Sequence, residues 1–195
     1  MVQPAKPTSD ARAAFFAIPE GDRNHELIDG DLQERAAPSG SHGSAQARIA
    51  ASTLGPFDRR PGASDNDGPG GWWIATEVEV ELRPTLLVRP DVVGWRRDRV
   101  PQRPSGTPVS DRPDWICEVV SASTASRDRV VKLARYHEAA IPHYWLLDPT
   151  DGTLTVLRWS EPGYVLVLTA QRGDVVRAEP FDAVELRLDW VFGDD

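Results

Sequence analysis

The chain predicts a mixed α/β fold of the α+β kind: one mixed central sheet flanked by a few helices. Three observations predict it. Candidate elements run in the order hairpin, helix, strands, helix, strand, meander. The candidate strands either alternate in polarity or are short apolar runs bounded by Pro, Ser and Gly. The 195 residues, 40% hydrophobic and 27% charged, suit one globular domain with a real core.

The elements follow in order. Residues 1–9 are polar and Pro-containing and read as a disordered N-terminus, leaving residues 10–195 as a single domain. Ser9 or Asp10 can cap a short helix over Ala11–Ala17, which Pro19 and Gly21 end. Asp29-Gly30 marks a hairpin between strands at about 24–28 and 31–36. A helix is predicted from Ser44 to about Leu54, stopped by Gly55 and Pro56. The Gly-, Pro- and Asp-rich stretch Phe57–Gly71 reads as a mobile loop. Trp72–Leu82 alternates with period two, as one strand with a polar face carrying Glu77, Glu79 and Glu81. Glu79 and Glu81 read as solvated, and Glu77 is open. Leu86–Trp95 gives one or two strands around Pro90-Asp91. Arg96–Arg112, polar and Pro-rich, reads as a long surface loop.

The run Trp115–Val120 reads as a buried strand, followed by a helix from Ser123 or Thr124 to Ala140. His143–Leu147 is the next strand. Thr153–Trp159 and Tyr164–Ala170 form a strand pair, and Val175–Phe192 is one more strand with a short closing segment. Trp73, Trp115 and Trp145 sit in strand patterns and read as core rather than as base-stacking surfaces.

Composition narrows the function classes. The net charge of −8 counts against a broad basic nucleic-acid surface. Arg89, Arg96, Arg97, Arg99 and Arg103 still allow a local basic groove. No apolar stretch approaches the roughly 18 residues of a membrane span, and no secretory core opens the chain. Cys117 is the single cysteine and lies in an apolar strand, which fits a reducing cytoplasm.

Chemistry concentrates in two apolar runs. Glu118 interrupts Trp115–Val120. An unpaired buried carboxylate costs several kcal/mol unless it is paired, protonated or bound to a metal. Asp91 stands likewise among apolar neighbours after Pro90, and Lys132 lies in the helical stretch downstream. Two acids on strands with a lysine nearby is a toolkit for metal-dependent phosphodiester chemistry. Mg²⁺ takes one or two carboxylates, with waters and substrate phosphate completing its octahedron. On the helix, Val130, Leu133, Ala134 and His137 make one apolar face that turns Lys132 away. Leu133, Tyr136 and Ala140 make another with Lys132 at its edge.

An ordered set of segments carries a family resemblance over roughly residues 10–190. It comprises Glu26-Leu27-Ile28-Asp29-Gly30, Ser41-His42, Pro90-Asp91-Val92-Val93, and Glu118-Val119-Val120-Ser121-Ala122-Ser123-Thr124. It continues through Asp128, Lys132 and Tyr136 to Ile141-Pro142-His143-Tyr144-Trp145-Leu146-Leu147-Asp148-Pro149. Together these resemble the bacterial restriction-endonuclease family of the PD-(D/E)XK nuclease superfamily, first catalogued as a domain of unknown function.

The resemblance implies a restriction-endonuclease-like fold and hydrolysis of DNA phosphodiesters with Mg²⁺ or Mn²⁺. It implies Asp91, Glu118 and Lys132 as catalytic residues. Asp91, Glu118 and Glu26 would be metal ligands, with Glu26, His42, Ser121 and Tyr136 in support. In the superfamily's short motif the lysine lies two positions after the acid. That position here is Val120, and the resemblance places the lysine at Lys132 instead. A homodimer is expected, since a double-strand cutter needs two sites. A nuclease-like module that binds without turnover, or a hydrolase of another phosphate ester, is the alternative.

Overall fold

The computed structural model describes residues 8–62, 68–121 and 125–194. The expected disorder of residues 1–9 lies outside the described residues except at Thr8 and Ser9, which are helical instead, and the expected helix start at Ser123 or Thr124 lies outside them. Twelve strands and four α-helices are present among those described, with one short 3-10 turn and one π-helical stretch. A six-stranded sheet has the order β10-β9-β8-β7-β6-β3, and a four-stranded sheet the order β2-β1-β5-β4. Their strands are β1 (His25–Ile28), β2 (Asp31–Glu34), β3 (Trp72–Thr76), β4 (Val80–Arg83), β5 (Leu86–Val88) and β6 (Val92–Arg96). The others are β7 (Trp115–Val119), β8 (His143–Asp148), β9 (Thr153–Arg158) and β10 (Val165–Gln171). Among the strands just named, β7 and β8 alone pair with each other in parallel, so the larger sheet is mixed, as the helix between these two strands requires. No helix among the described residues is long and apolar enough to cross a membrane.

The hairpin turn forms for the expected reason. Asp29 and Gly30 both take positive φ, 55° and 82°, which two-residue primed turns demand. Helix α1 (Thr8–Ala17) packs Ala11 and Phe15 on Leu27 and Leu87 of this hairpin sheet. Helix α2 runs from Gly40 to Phe57, longer at both ends than expected. Ser39 caps it by accepting from the His42 N–H at 3.2 Å. Gly55 and Pro56 stay in the last turn, where a missing N–H costs one bond and the helix is ending anyway.

The six-stranded sheet has a core on each face. On one, α2 and α4 (Leu188–Phe192) cover Trp72, Ile74, Trp115, Cys117 and Trp145. Phe181 stands 4.7 Å from Trp115 and 4.9 Å from Trp72, ring to ring. On the other, α3 (Leu133–Glu138) covers Val93, Trp95, Ile116, Tyr144 and Leu146. Trp115 and Trp145 are core as read, each about 1.5–3 kcal/mol of burial. Trp73 is half-buried, with the Arg97 guanidinium 3.4 Å above its ring.

Five readings change. The alternating stretch 72–82 is two strands in two sheets, parted at Glu77, whose φ is 56°. Alternation cannot report such a break, since the pattern resumes beyond it. Glu79 is buried rather than solvated, accepting from Arg23 at 2.8 Å and Arg89 at 2.6 Å, and Glu81 pairs with Arg12 at 2.6 Å.

The segment 96–112 is no free surface loop. Val100 and Val109 are buried, and Val109 bonds to the backbone of both Glu79 and Glu81. The described ends of the stretch 57–71 are tied down as well, Gly70 N–H to Pro56 at 3.0 Å and Gly71 N–H to Arg59 at 2.8 Å. The tail holds two short strands, β11 (Val175–Val176) and β12 (Leu186–Arg187), paired with each other ahead of α4.

Candidate active site

The two sheets part at one place, and the acids gather there. The chain passes from β3 to β4 through Glu77 and from β5 to β6 through Pro90-Asp91, and the Glu77 N–H donates to Pro90 O at 3.2 Å. Asp91 therefore stands where the sheets divide, beside the end of β7. The Val119 N–H donates to Asp91 Oδ2 at 2.7 Å. His42, on the first turn of α2, donates from Nε2 to Oδ1 at 3.2 Å.

Strand alternation aims Glu118. Trp115, Cys117 and Val119 face the α2 side, while Ile116 and Val120 face the α3 side, so Glu118 faces α3 with them. There Tyr136 donates its hydroxyl to Glu118 Oε1 at 2.6 Å, and Lys132 Nζ donates to the same oxygen at 3.0 Å. Lys132 also reaches Glu26 Oε1 at 2.9 Å and Asp128 Oδ1 at 3.8 Å. Glu26 Oε1 accepts the Arg89 N–H as well, at 2.9 Å. Lys132 and Asp128 belong to a π-helical stretch, Arg127–Lys132, that runs on into α3. Wide helical turns of this kind recur at functional sites.

Charge and burial shape the acids differently. Burial raises Glu118 most; Lys132 pulls it back, but Asp91, Asp128 and Glu26 add to the rise, and it stands at about 8. Burial also raises Glu26, yet Lys132 and the Arg89 N–H outweigh it and hold Glu26 below the ordinary carboxylate range. Asp91 is likewise pushed up by burial and then held low by His42 and the Val119 N–H. Burial would strip Lys132 of its proton, but Glu118, Glu26 and Asp128 hold the ammonium above its ordinary range. His42 is raised by its bond to Asp91.

An open cleft of about 510 Å³ is lined by Asp91, Glu118, Ser121, His42, Lys132 and Asp128, with Glu77, Arg35, Gln46 and Arg127 on its walls. Of the expected site residues, Asp91, Glu118, Lys132, His42 and Ser121 thus meet on one surface. Tyr136 and Glu26 are fully buried and do not line it. Glu26 sits as the counter-ion of Lys132. Its Oε2 is buried with no hydrogen-bond partner among the described residues, an oxygen that a water or cation would satisfy.

Sequence reasoning missed the cleft residues Arg35, Gln46 and Arg127, and it left Glu77 open. Arg35 bonds Glu77 at 2.5 Å and stands 3.7 Å from Asp91, and Gln46 donates to Glu77 at 3.0 Å. Polar residues at strand ends and helix starts look like solvated ones, so no sequence signal marked them. The Arg segment that allowed a local basic groove is paired with acids instead. Arg89 is bound to Glu79, Arg96 to Asp98, Arg97 and Arg103 to Asp58, and Arg99 to Asp114.

A metal suits two of these acids best. No three His, Cys, Asp or Glu side chains group as a complete cage among the described residues. Asp91 and Glu118 nevertheless face one cleft, close enough for the charge of one to raise the other. A cation between them would relieve that repulsion. Two carboxylates with water and phosphate are the donor set Mg²⁺ accepts.

The family model described as "Uma2: Putative restriction endonuclease" matches residues 12–190. The chain belongs to the Uma2 family. As an Uma2 chain it also shares its fold with a solved structure titled a putative nuclease belonging to DUF820, from Anabaena variabilis. The TM-score is 0.73 at 17% identity, over 93% of this chain and 96% of that one. No curated protein is similar enough to match.

Proposed function

We propose that this Uma2 protein is a Mg²⁺- or Mn²⁺-dependent DNA endonuclease that hydrolyses phosphodiester bonds. The observation that supports it most is the set on the cleft floor. Asp91 and Glu118 face the same open space, and Lys132, held by Glu26 at 2.9 Å, leans on Glu118 at 3.0 Å. Asp91 and Glu118 would hold the cation, which when bound supplies Lewis-acid polarisation of a phosphoryl oxygen.

The chain's own residues do the rest. Water adds to phosphorus and loses a proton to solvent, negative charge builds on the phosphoryl oxygens, and the bond to one ester oxygen breaks as that oxygen takes a proton from solvent and leaves as an alcohol. The Lys132 ammonium, kept protonated by its three acid neighbours, offers a fixed positive charge to that group. Glu26 fixes the ammonium from behind. Tyr136 fixes Glu118, and His42 with the Val119 N–H fixes Asp91. Such fixed donors need no reorganisation as charge develops.

Incubating supercoiled plasmid with the protein and Mg²⁺ or Mn²⁺ tests this. Nicked or linear DNA from wild type, and a loss of about a hundredfold or more in Asp91→Ala, is expected when a whole ligand disappears. Equal cutting by both sinks the assignment.

A second reading, a silent binding module, is favoured by one observation. Both acids already have protein donors, Glu118 from Tyr136 and Lys132, Asp91 from His42 and Val119. Calorimetry with Mn²⁺ separates the two, because the module needs no binding at Glu118.

We further propose a homodimer in a reducing cytoplasm. Strand β10 has no neighbour on its outer edge among the described residues and exposes Val165 and Leu166, an edge suited to pairing. Cys117 is buried and free.

A further inference from the structure

We propose that Arg127 grips a backbone phosphate of the nucleic acid entering the cleft. The inference rests on the nuclease reading for its choice of ligand. Four cationic side chains line the cleft: Arg35, His42, Arg127 and Lys132. Three are committed to acids. Arg35 is bound to Glu77 at 2.5 Å, His42 to Asp91 at 3.2 Å, and Lys132 to Glu26 at 2.9 Å. Arg127 forms no ion pair among the described residues: it helps hold Glu26 low only from a distance, and its Nε is buried without an acceptor.

Buried donors are nearly always satisfied, and an orphan asks for a partner that is not yet present. A phosphate matches this donor: two parallel N–H groups meet two phosphoryl oxygens in a charge-assisted, bidentate contact. The surroundings sharpen the need. Glu77, Asp91, Glu118 and Asp128 also line the cleft, so a polyanion would meet four acids on entry.

A cation can offset the charge of Asp91 and Glu118, but it does not anchor the strand on either side. The arginines of the 89–103 segment, outside the cleft, are paired with acids. Arg127 opens the π-helical stretch that ends in Lys132. One short element thus carries both the fixed ammonium and a guanidinium that has no ion pair among the described residues.

The test is fluorescence anisotropy with a labelled duplex oligonucleotide, Ca²⁺ replacing Mg²⁺, repeated across a salt series. Arg127→Ala should weaken binding about tenfold to a hundredfold, the range for a lost charge-assisted hydrogen bond. It should also flatten the slope of log affinity against log salt by about 0.9, one phosphate contact. Arg127→Lys, which keeps the charge but loses the fork, should keep the slope and recover only part of the affinity. Thermal melts of both variants report whether they fold.

Unchanged affinity and slope in Arg127→Ala overturns the inference. Weaker binding at an unchanged slope does so too, because it means a structural role, and so does a wild type that binds no duplex at the lowest salt. If the slope falls as expected while plasmid is cut equally by wild type and Asp91→Ala, the grip stands and the nuclease assignment fails.

Discussion

Glu118 shows how one residue's surroundings set its chemistry. It is an acid in an apolar strand, 3% exposed, with two donors on one oxygen and like charges nearby. Tyr136→Phe removes one donor from a buried carboxylate. It should lower stability by about 1–3 kcal/mol, read as a shifted midpoint in urea at constant slope. The pH dependence has a definite sign. An acid raised to about 8 is protonated below that pH, and a metal ligand must be ionised. Mn²⁺ affinity should therefore rise with pH, about tenfold per unit, and level off above the titration, with proton release on binding below it. Calorimetry in buffers of different ionisation heat reads both; affinity independent of pH removes Glu118 from the ligand set.

Asp91 and Glu118 were legible in the sequence because charge inside an apolar run demands a reason. Arg35 and Gln46 were not, because their partners are remote in the chain: Glu77 lies 42 positions from Arg35, and Asp91 lies 45 from Gln46.

At the scale of elements, the helix after β7 inverts the usual rule. Its apolar spacing allowed Val130 to face inward, yet Val130 is 63% exposed, while Asp128 and Lys132 are each 3% exposed and Tyr136 fully buried. The most buried face is i, i+4, i+8 of polar residues, because Lys132 and Tyr136 meet Glu118, an acid on a largely hydrophobic sheet face. Two substitutions read this register. Val130→Ala should change stability by less than about 0.5 kcal/mol. Lys132→Met should cost about 3–5 kcal/mol, since it strands Glu26 and Glu118 without their cation. Guanidinium unfolding of the pair tests it, and comparable losses would mean the helix is rotated. The strand break at Glu77 had the same source. Local pattern continues across it, and only the pairing of β3 with β6 and of β4 with β5 separates the halves.

The whole molecule places the cleft where its sheets divide and leaves β10 open at the far side of the larger sheet. If that edge pairs two copies, light scattering should give twice the chain mass. Leu166→Lys, a charge on an exposed edge residue, should return a monomer with its fold intact. A monomeric wild type at working concentration counts against the pairing.

The sequence by itself determined the hairpin turn, most of the order of strands and helices, the buried run around Glu118 and the presence of acids with a reason to be there. All of these are local, written in periodicity, turn chemistry and the cost of buried charge. Only the tertiary structure decided which acids share a space, which cation answers each of them and which one is left unanswered. Those are contacts between residues far apart in the chain. Their energies depend on burial and distance, which the order of residues does not encode locally.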